Sequence, residues 1–215
     1  MNNQTVTYDK QIPQSKLMAV RKAAARYVTG PLVRLIAKTK ATPNDLTWIG
    51  FTVIAAGAAL VVSGHMLAAG FVVLGASFFD LLDGALARGT NRVTRYGSVL
   101  DSSLDRAAES LLFGGIAAFY ALHPSSQSTA IILLSVIAMS TSFLVSYVRA
   151  RAEGAGLKCE VGLLTRAERI GLLVIGLWFS GINYALVIIL SIIALLSLIT
   201  AGQRLSCVRQ QTKSE

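Results

Sequence analysis

Charge is scarce in this chain of 215 residues: 14% are Asp, Glu, Lys or Arg, while 53% are hydrophobic. A soluble domain carries closer to a quarter charged residues. The scarcity, with a mean hydropathy of +0.59, excludes an ordinary water-soluble fold and points to an integral membrane protein. Met1 to Ser15 is polar and has no apolar core, so a cleaved secretory signal is not expected and the first hydrophobic span would direct insertion. Cysteine is nearly absent. Cys159 and Cys207 show neither a CxxC pair nor a metal-ligand spacing, and in segments read as cytoplasmic they are expected as two free thiols. Histidine is as rare, and His65 and His123 both sit at span ends, where polar tips are tolerated without a role.

What is present is a series of apolar runs, at 46–64, 67–88, 98–122, 128–148, 169–181 and 183–202. The fifth is short for a span of about 20 residues. The fold class expected is therefore an all-α integral membrane protein with six transmembrane helices. An N-terminal amphipathic helix would precede them at 15–40, where Leu17, Val20, Ala24 and Val28 alternate with Lys16, Arg21, Lys22 and Arg26. The organisation is a polar tail at 1–14, the interfacial helix at 15–40, a six-helix domain at 41–205 and a cytoplasmic tail at 206–215.

Orientation follows from the basic residues. Gly64-His65, His123-Pro124-Ser125-Ser126 and Gly181-Ile182-Asn183 contain no Lys or Arg, so all 20 basic residues fall on the other side. Both termini are thus expected in the cytoplasm, with the chain multi-pass in the cell (inner) membrane. The net charge of +9 lies along one membrane face with little aromatic interleaving and no binding motif, which argues against nucleic acid and for membrane lipids as partners.

Carboxylates are few, but four are concentrated between spans two and three: Asp80-x2-Asp83-Gly84-x2-Ala87-Arg88-x8-Gly97-x3-Asp101-x3-Asp105. A charge at membrane depth costs about 2.5–3.5 kcal/mol, so four together need a compensating use. On helices Asp80 and Asp83 share one face, as do Asp101 and Asp105. Two such faces can hold hard divalent cations, with Asp80, Asp83 and Asp101 as ligands in a two-metal site that clamps a diphosphate. Gly84 leaves room for a ligand, Arg88 offers a planar fork to phosphate, and Asp105 is placed to take a proton from an incoming hydroxyl. A cation pathway or an ion-pair network with Arg88 or Arg106 is the competing reading of any single Asp.

This stretch resembles the signature of the CDP-alcohol phosphotransferase family, with Asp80, Asp83, Gly84, Ala87, Arg88, Gly97, Asp101 and Asp105 at its fixed positions. The resemblance implies transfer of a substituted phosphate from a CDP-linked donor to an alcohol, with release of CMP. It implies two Mg2+ ions, with Mn2+ as a substitute, held by Asp80, Asp83 and Asp101. Asp105 would be the base and would also touch the second metal. It further implies a donor pocket for CDP-diacylglycerol from Pro43, Asn44, Asp45, Leu46, Gly84, Arg88 and Thr94, and a homodimer.

The stretches 146–154 and 165–169, together with Phe113-Gly114-Gly115, look like those of prokaryotic phosphatidylinositol-phosphate synthases. That resemblance nominates inositol phosphate (1D-myo-inositol 3-phosphate, also named L-myo-inositol 1-phosphate) as the acceptor. It nominates Arg149, Arg169 and Arg209 for the acceptor's phosphate. Glycerol 3-phosphate and an archaeal ether-lipid donor stay open as alternatives. A small cation transporter is the alternative of another class, but it would call for inverted repeats, and no internal repeat is visible.

Overall fold

The computed structural model describes residues 42–213 except Asn91, Arg92 and Glu160, with Leu81 as backbone only. The 1–14 tail and the 15–40 interfacial helix lie outside the described residues. Within them the fold is six helices and no strand: α1 Pro43–Val62, α2 Met66–Gly89, α3 Arg95–Leu122, α4 Ser128–Gly154, α5 Arg166–Trp178 and α6 Ala185–Thr212.

The helix starts that matter for function are written in local chemistry. Thr42 caps α1 in a capping box with Asp45, and Pro43 occupies the first turn, where its missing N–H costs nothing. The Thr94 side chain caps α3 by accepting from Gly97 N at 2.9 Å. Thr165 and Glu168 form a second capping box at the start of α5.

The helices pack in a closed ring, α1 on α2, α2 on α5, α5 on α6, α6 on α4, α4 on α3 and α3 back on α1. Ile54, Val73, Leu112, Phe113, Ile116, Leu173, Leu190 and Ile193 fill its centre. A Cβ at Gly115 would lie 3.1 Å from Ala58 O, so glycine is what lets α3 approach the α1 backbone so closely. Outward-facing Leu67, Phe71, Leu74, Leu133, Ile137, Ile188, Leu195 and Leu198 are exposed, an apolar belt of the kind lipid would cover.

Four helices, α1, α2, α4 and α6, are long and apolar enough to cross a membrane. The other two fall short for physical reasons. The first half of α3 carries Asp101, Asp105, Arg106 and Glu109. The 13 residues of α5 rise about 20 Å, less than a hydrocarbon core of about 30 Å.

One expectation is corrected. Cys159 and Cys207 are not free thiols: they form a disulfide, with Cα atoms 6.0 Å apart. The reason lies in the length of α6. α6 runs past residue 205 to Thr212, so most of the expected tail is helix, and its last turns carry Cys207 up to the loop that leaves α4. Gln211 fastens the same loop by donating to Lys158 O at 2.9 Å, and Arg204 donates to Val145 O and Val161 O.

Candidate active site

Hairpin connections bring the N-termini of α1, α3 and α5 and the C-termini of α2, α4 and α6 to one end of the bundle. The aspartates lie there. Asp80 and Asp83 come from the last turns of α2, and Asp101 and Asp105 from the first turns of α3. Asp83 is 6% exposed, and the other three are half-buried. Asp101 and Asp80 lie within electrostatic reach of Asp83, and both also act on Asp105.

α1 runs alongside and presents a stripe at every third residue. Asn44 Oδ1 would lie 3.0 Å from a Cβ at Gly97, so any larger residue at the start of α3 would press on Asn44 and on the Thr94 cap. Thr47 Oγ1 donates to Asp83 Oδ2 at 2.9 Å. Gly50 passes Asp80, whose Oδ1 would be 3.4 Å from a Cβ there. Below this stripe Leu46, Leu82 and Leu86 make a small apolar cluster that fixes the start of α1 against the end of α2.

Between α1, α2 and α3 opens a cavity of about 340 Å3 that reaches Asp83 and Asp101. Of the expected donor residues, Pro43, Asn44, Gly84, Arg88 and Thr94 line it, joined by Thr47, Ala87, Gly97 and Ser98. Asp45 and Leu46 do not. The Asp45 carboxylate accepts from Thr42 N at 2.8 Å, and Leu46 is buried in the leucine cluster. Their contribution is to build the start of α1.

Outside the cavity lining, α5 walls the aspartates on their other side. Arg166 Nη1 stands 2.7 Å from Asp80 Oδ2 and 2.8 Å from Asp105 Oδ1, a single nitrogen shared between carboxylates of two helices. One turn deeper Arg169 grips Glu109 with one edge of its guanidinium, Nε to Oε1 at 2.7 Å and Nη2 to Oε2 at 2.9 Å, and Nη1 donates to Leu164 O at 3.5 Å. Asp101, Asp105 and Glu109 recur every fourth residue on α3, so an acidic stripe there faces a basic pair on α5. Arg166 and Glu109 were not singled out from the sequence. Thr47 had a signal, a hydroxyl one turn after Asn44 inside an apolar run.

The three arginines nominated for an acceptor phosphate occupy three settings. Arg169 is buried at 2% exposure. Arg149 is exposed and pairs with Glu153 at 2.7 Å on its own helix. Arg209 is exposed in the last turns of α6.

Four carboxylates at one end of the bundle, two of them lining the cavity, are a donor set suited to hard divalent cations. Among the described residues no three acidic, cysteine or histidine side chains stand close enough, as placed, to hold an ion. Arg166 Nη1 is the cation that lies between two of the aspartates.

The sequence profile of the CDP-alcohol phosphatidyltransferase family matches residues 40–201. The chain is 36% identical over 186 residues to the phosphatidylinositol phosphate synthase of Mycobacteroides abscessus, covering 85% of this chain and 84% of that one. It is 39% identical over 144 residues to an archaetidylinositol phosphate synthase of Methanothermobacter thermautotrophicus, covering 66% and 69%. The crystal structure of the Mycobacterium tuberculosis phosphatidylinositol phosphate synthase with CDP-DAG bound superposes with a TM-score of 0.77 at 34% identity, covering 85% of this chain and 94% of that one. The same enzyme in complex with manganese and citrate gives 0.76 at 34% identity, with coverage of 84% and 88%.

Proposed function

Because the chain belongs to the CDP-alcohol phosphatidyltransferase family, we propose that it transfers the phosphatidyl group of CDP-diacylglycerol to a hydroxyl of 1D-myo-inositol 3-phosphate, giving phosphatidylinositol phosphate and CMP. The observation that carries this reading is the cavity. Its walls are the start of α1 and the two halves of the aspartate motif, and it ends on Asp83 and Asp101. The acceptor rests on the names of the relatives, which are phosphatidylinositol phosphate synthases.

Asp80, Asp83, Asp101 and Asp105 would hold divalent cations, Mg2+ or Mn2+, in a pair whose chemistry is to neutralise charge on the donor diphosphate. The protein's own groups do the rest. Thr47 fixes the Asp83 carboxylate, and Arg88 meets a donor phosphate with its planar fork. Gly84, Asn44 and Thr94 shape the space for the cytidine end. Asp105 accepts the proton of the acceptor hydroxyl while its oxygen forms a bond to the phosphorus that bears the lipid. The phosphorus–oxygen bond to the CMP leaving group breaks in the same displacement. Arg149, Arg169 and Arg209 are the proposed contacts for the acceptor's phosphate, and Arg169 would have to exchange its Nη1 hydrogen bond to Leu164 O for that contact.

The same reading puts all six helices across the cell (inner) membrane, with α5 completed by its following turn and the 15–40 helix on the surface. Both termini and the cavity then face the cytoplasm. The connections at 63–65, 123–127 and 179–184 support it, since they carry no Lys or Arg. A homodimer is the expected assembly.

An acceptor panel tests the function. Purified protein with CDP-diacylglycerol and Mg2+ should release CMP with the inositol phosphate and far less with free inositol or glycerol 3-phosphate. A preference for glycerol 3-phosphate would overturn the acceptor, and silence with every acceptor would overturn the transferase reading. A CDP-linked ether lipid run in parallel decides the donor, the arm that the archaetidylinositol relative calls for.

A further inference from the structure

Arg166 is placed against the interest of its own helix. It is the first residue of α5, following the Thr165 cap, where a cation meets the positive end of the helix dipole. What holds it there is the pair of carboxylates from α2 and α3, both on one nitrogen. Its Nε is buried and finds no hydrogen-bond partner among the described residues. A guanidinium settled for good would use its fork, as Arg169 does on Glu109. Arg166 uses a single nitrogen and leaves a buried donor unmet, a cost that a permanent brace has no reason to carry.

We propose that Arg166 and the divalent cation occupy the aspartate cluster in mutual exclusion. The nitrogen that bridges Asp80 and Asp105 is the protein's own counter-ion, and it leaves those oxygens when an ion enters. The proposal rests on the reading of the aspartates as metal-holding groups. Its physical basis is the shared oxygens: an ion bound to Asp80 Oδ2 or Asp105 Oδ1 would stand within a few ångströms of the guanidinium, and the two positive charges repel in a partly desolvated site. Without either cation, Asp80 and Asp105 would lose the nitrogen they share and Asp101 would keep only Arg106, at the meeting of α2, α3 and α5. Arg166 thus keeps this end of the bundle together until the ion arrives, and it sets the affinity that the ion must exceed. The rival arrangement has Arg166 staying on one oxygen of each carboxylate while the ion takes the other, which makes it a support for the ion.

Mn2+ titration of the detergent-solubilised full chain, read by the electron paramagnetic resonance signal of free Mn2+, separates the two. Removing two ion pairs that are about a quarter exposed in Arg166→Ala should tighten Mn2+ binding about three- to thirty-fold. The unfolding temperature in EDTA should fall below that of the wild type and be restored by saturating Mn2+. Arg166→Gln, which keeps length and hydrogen-bonding groups without the charge, gives the same reading if the alanine variant does not fold. Unchanged or weaker Mn2+ binding in a folded variant, with the wild type binding normally, would overturn the proposal and leave the metal reading standing. Absence of Mn2+ binding in wild type and variant alike would overturn both.

Discussion

Two arginines of α5, three residues apart, meet acidic groups on α3 in opposite ways. Arg169 and Glu109 are joined by two parallel hydrogen bonds with side chains 2% and 5% exposed. Arg166 offers one nitrogen to two carboxylates, with side-chain exposure near a quarter on each side of the contact with Asp80. The deeper pair has each charge matched to one partner by geometry, which is how a buried ion pair offsets its desolvation. In the shallower contact Asp80 and Asp105 share one nitrogen of Arg166, and Asp101 lies within electrostatic reach of Arg166 and Arg106, so no carboxylate there has a cation matched to it alone. A surplus of negative charge beside a cavity is a feature of a binding site, and a matched pair beneath it is a feature of a support. The same helix supplies both, and one turn separates them.

The comparison breaks if the deeper pair is not a support. Glu109→Ala leaves the Arg169 guanidinium buried without its partner and should cost about 3–5 kcal/mol of stability, read as a lowered unfolding midpoint in detergent. Glu109→Leu combined with Arg169→Met should recover most of that loss, because both charges then leave together. A loss below about 1 kcal/mol in the single variant would show that the pair contributes little. The shallower contact should respond in the other currency. Asp105→Asn removes the proposed base and one of the partners of Arg166, so kcat should drop by about 10²–10⁴. Its unfolding midpoint should fall far less than that of Glu109→Ala, since the contact is about a quarter exposed and Arg166 keeps Asp80. Turnover at the wild-type rate would remove Asp105 from the chemistry.

The aspartates and the six helices were legible because their signals are local. Hydrophobic runs mark helices, and Asp80, Asp83, Asp101 and Asp105 repeat at helical spacing within 26 residues of sequence. The capping signals of Thr42 and Thr94 are local too. The α5 wall was not legible. Arg166 lies 86 residues from Asp80, and Arg169 lies 60 from Glu109, so no window along the sequence contains both partners. The disulfide failed for the same reason, with 48 residues between its cysteines, and also because α6 continues past the apolar run that was used to mark its end. Polar residues such as Arg204 and Gln211 continue that helix by hydrogen bonding to the α4–α5 loop, a tertiary cause with no periodic apolar trace. The arginines nominated for the acceptor show a further limit. Resemblance fixes a position in the chain, while burial decides what a guanidinium there is free to touch.

Arg149 extends the comparison to a third setting and carries the smallest expected effect. Its partner Glu153 sits four residues on along the same helix, and the two side chains are 45% and 51% exposed. An exposed pair of this kind contributes about 0.3–0.5 kcal/mol, because water screens the attraction and both long side chains lose freedom to make it. Arg149→Ala should therefore leave the unfolding midpoint almost where it was, in contrast to Glu109→Ala. Any functional effect should appear in the acceptor alone: KM for the inositol phosphate rises while kcat and KM for CDP-diacylglycerol hold, the pattern of a lost binding contact. An unchanged acceptor KM would remove Arg149 from the acceptor site and leave the proposed phosphate contact to Arg209 and Arg169. A rise in the donor KM instead would place Arg149 on the CDP-lipid side of the site, across from the role that its position at the end of α4 supports.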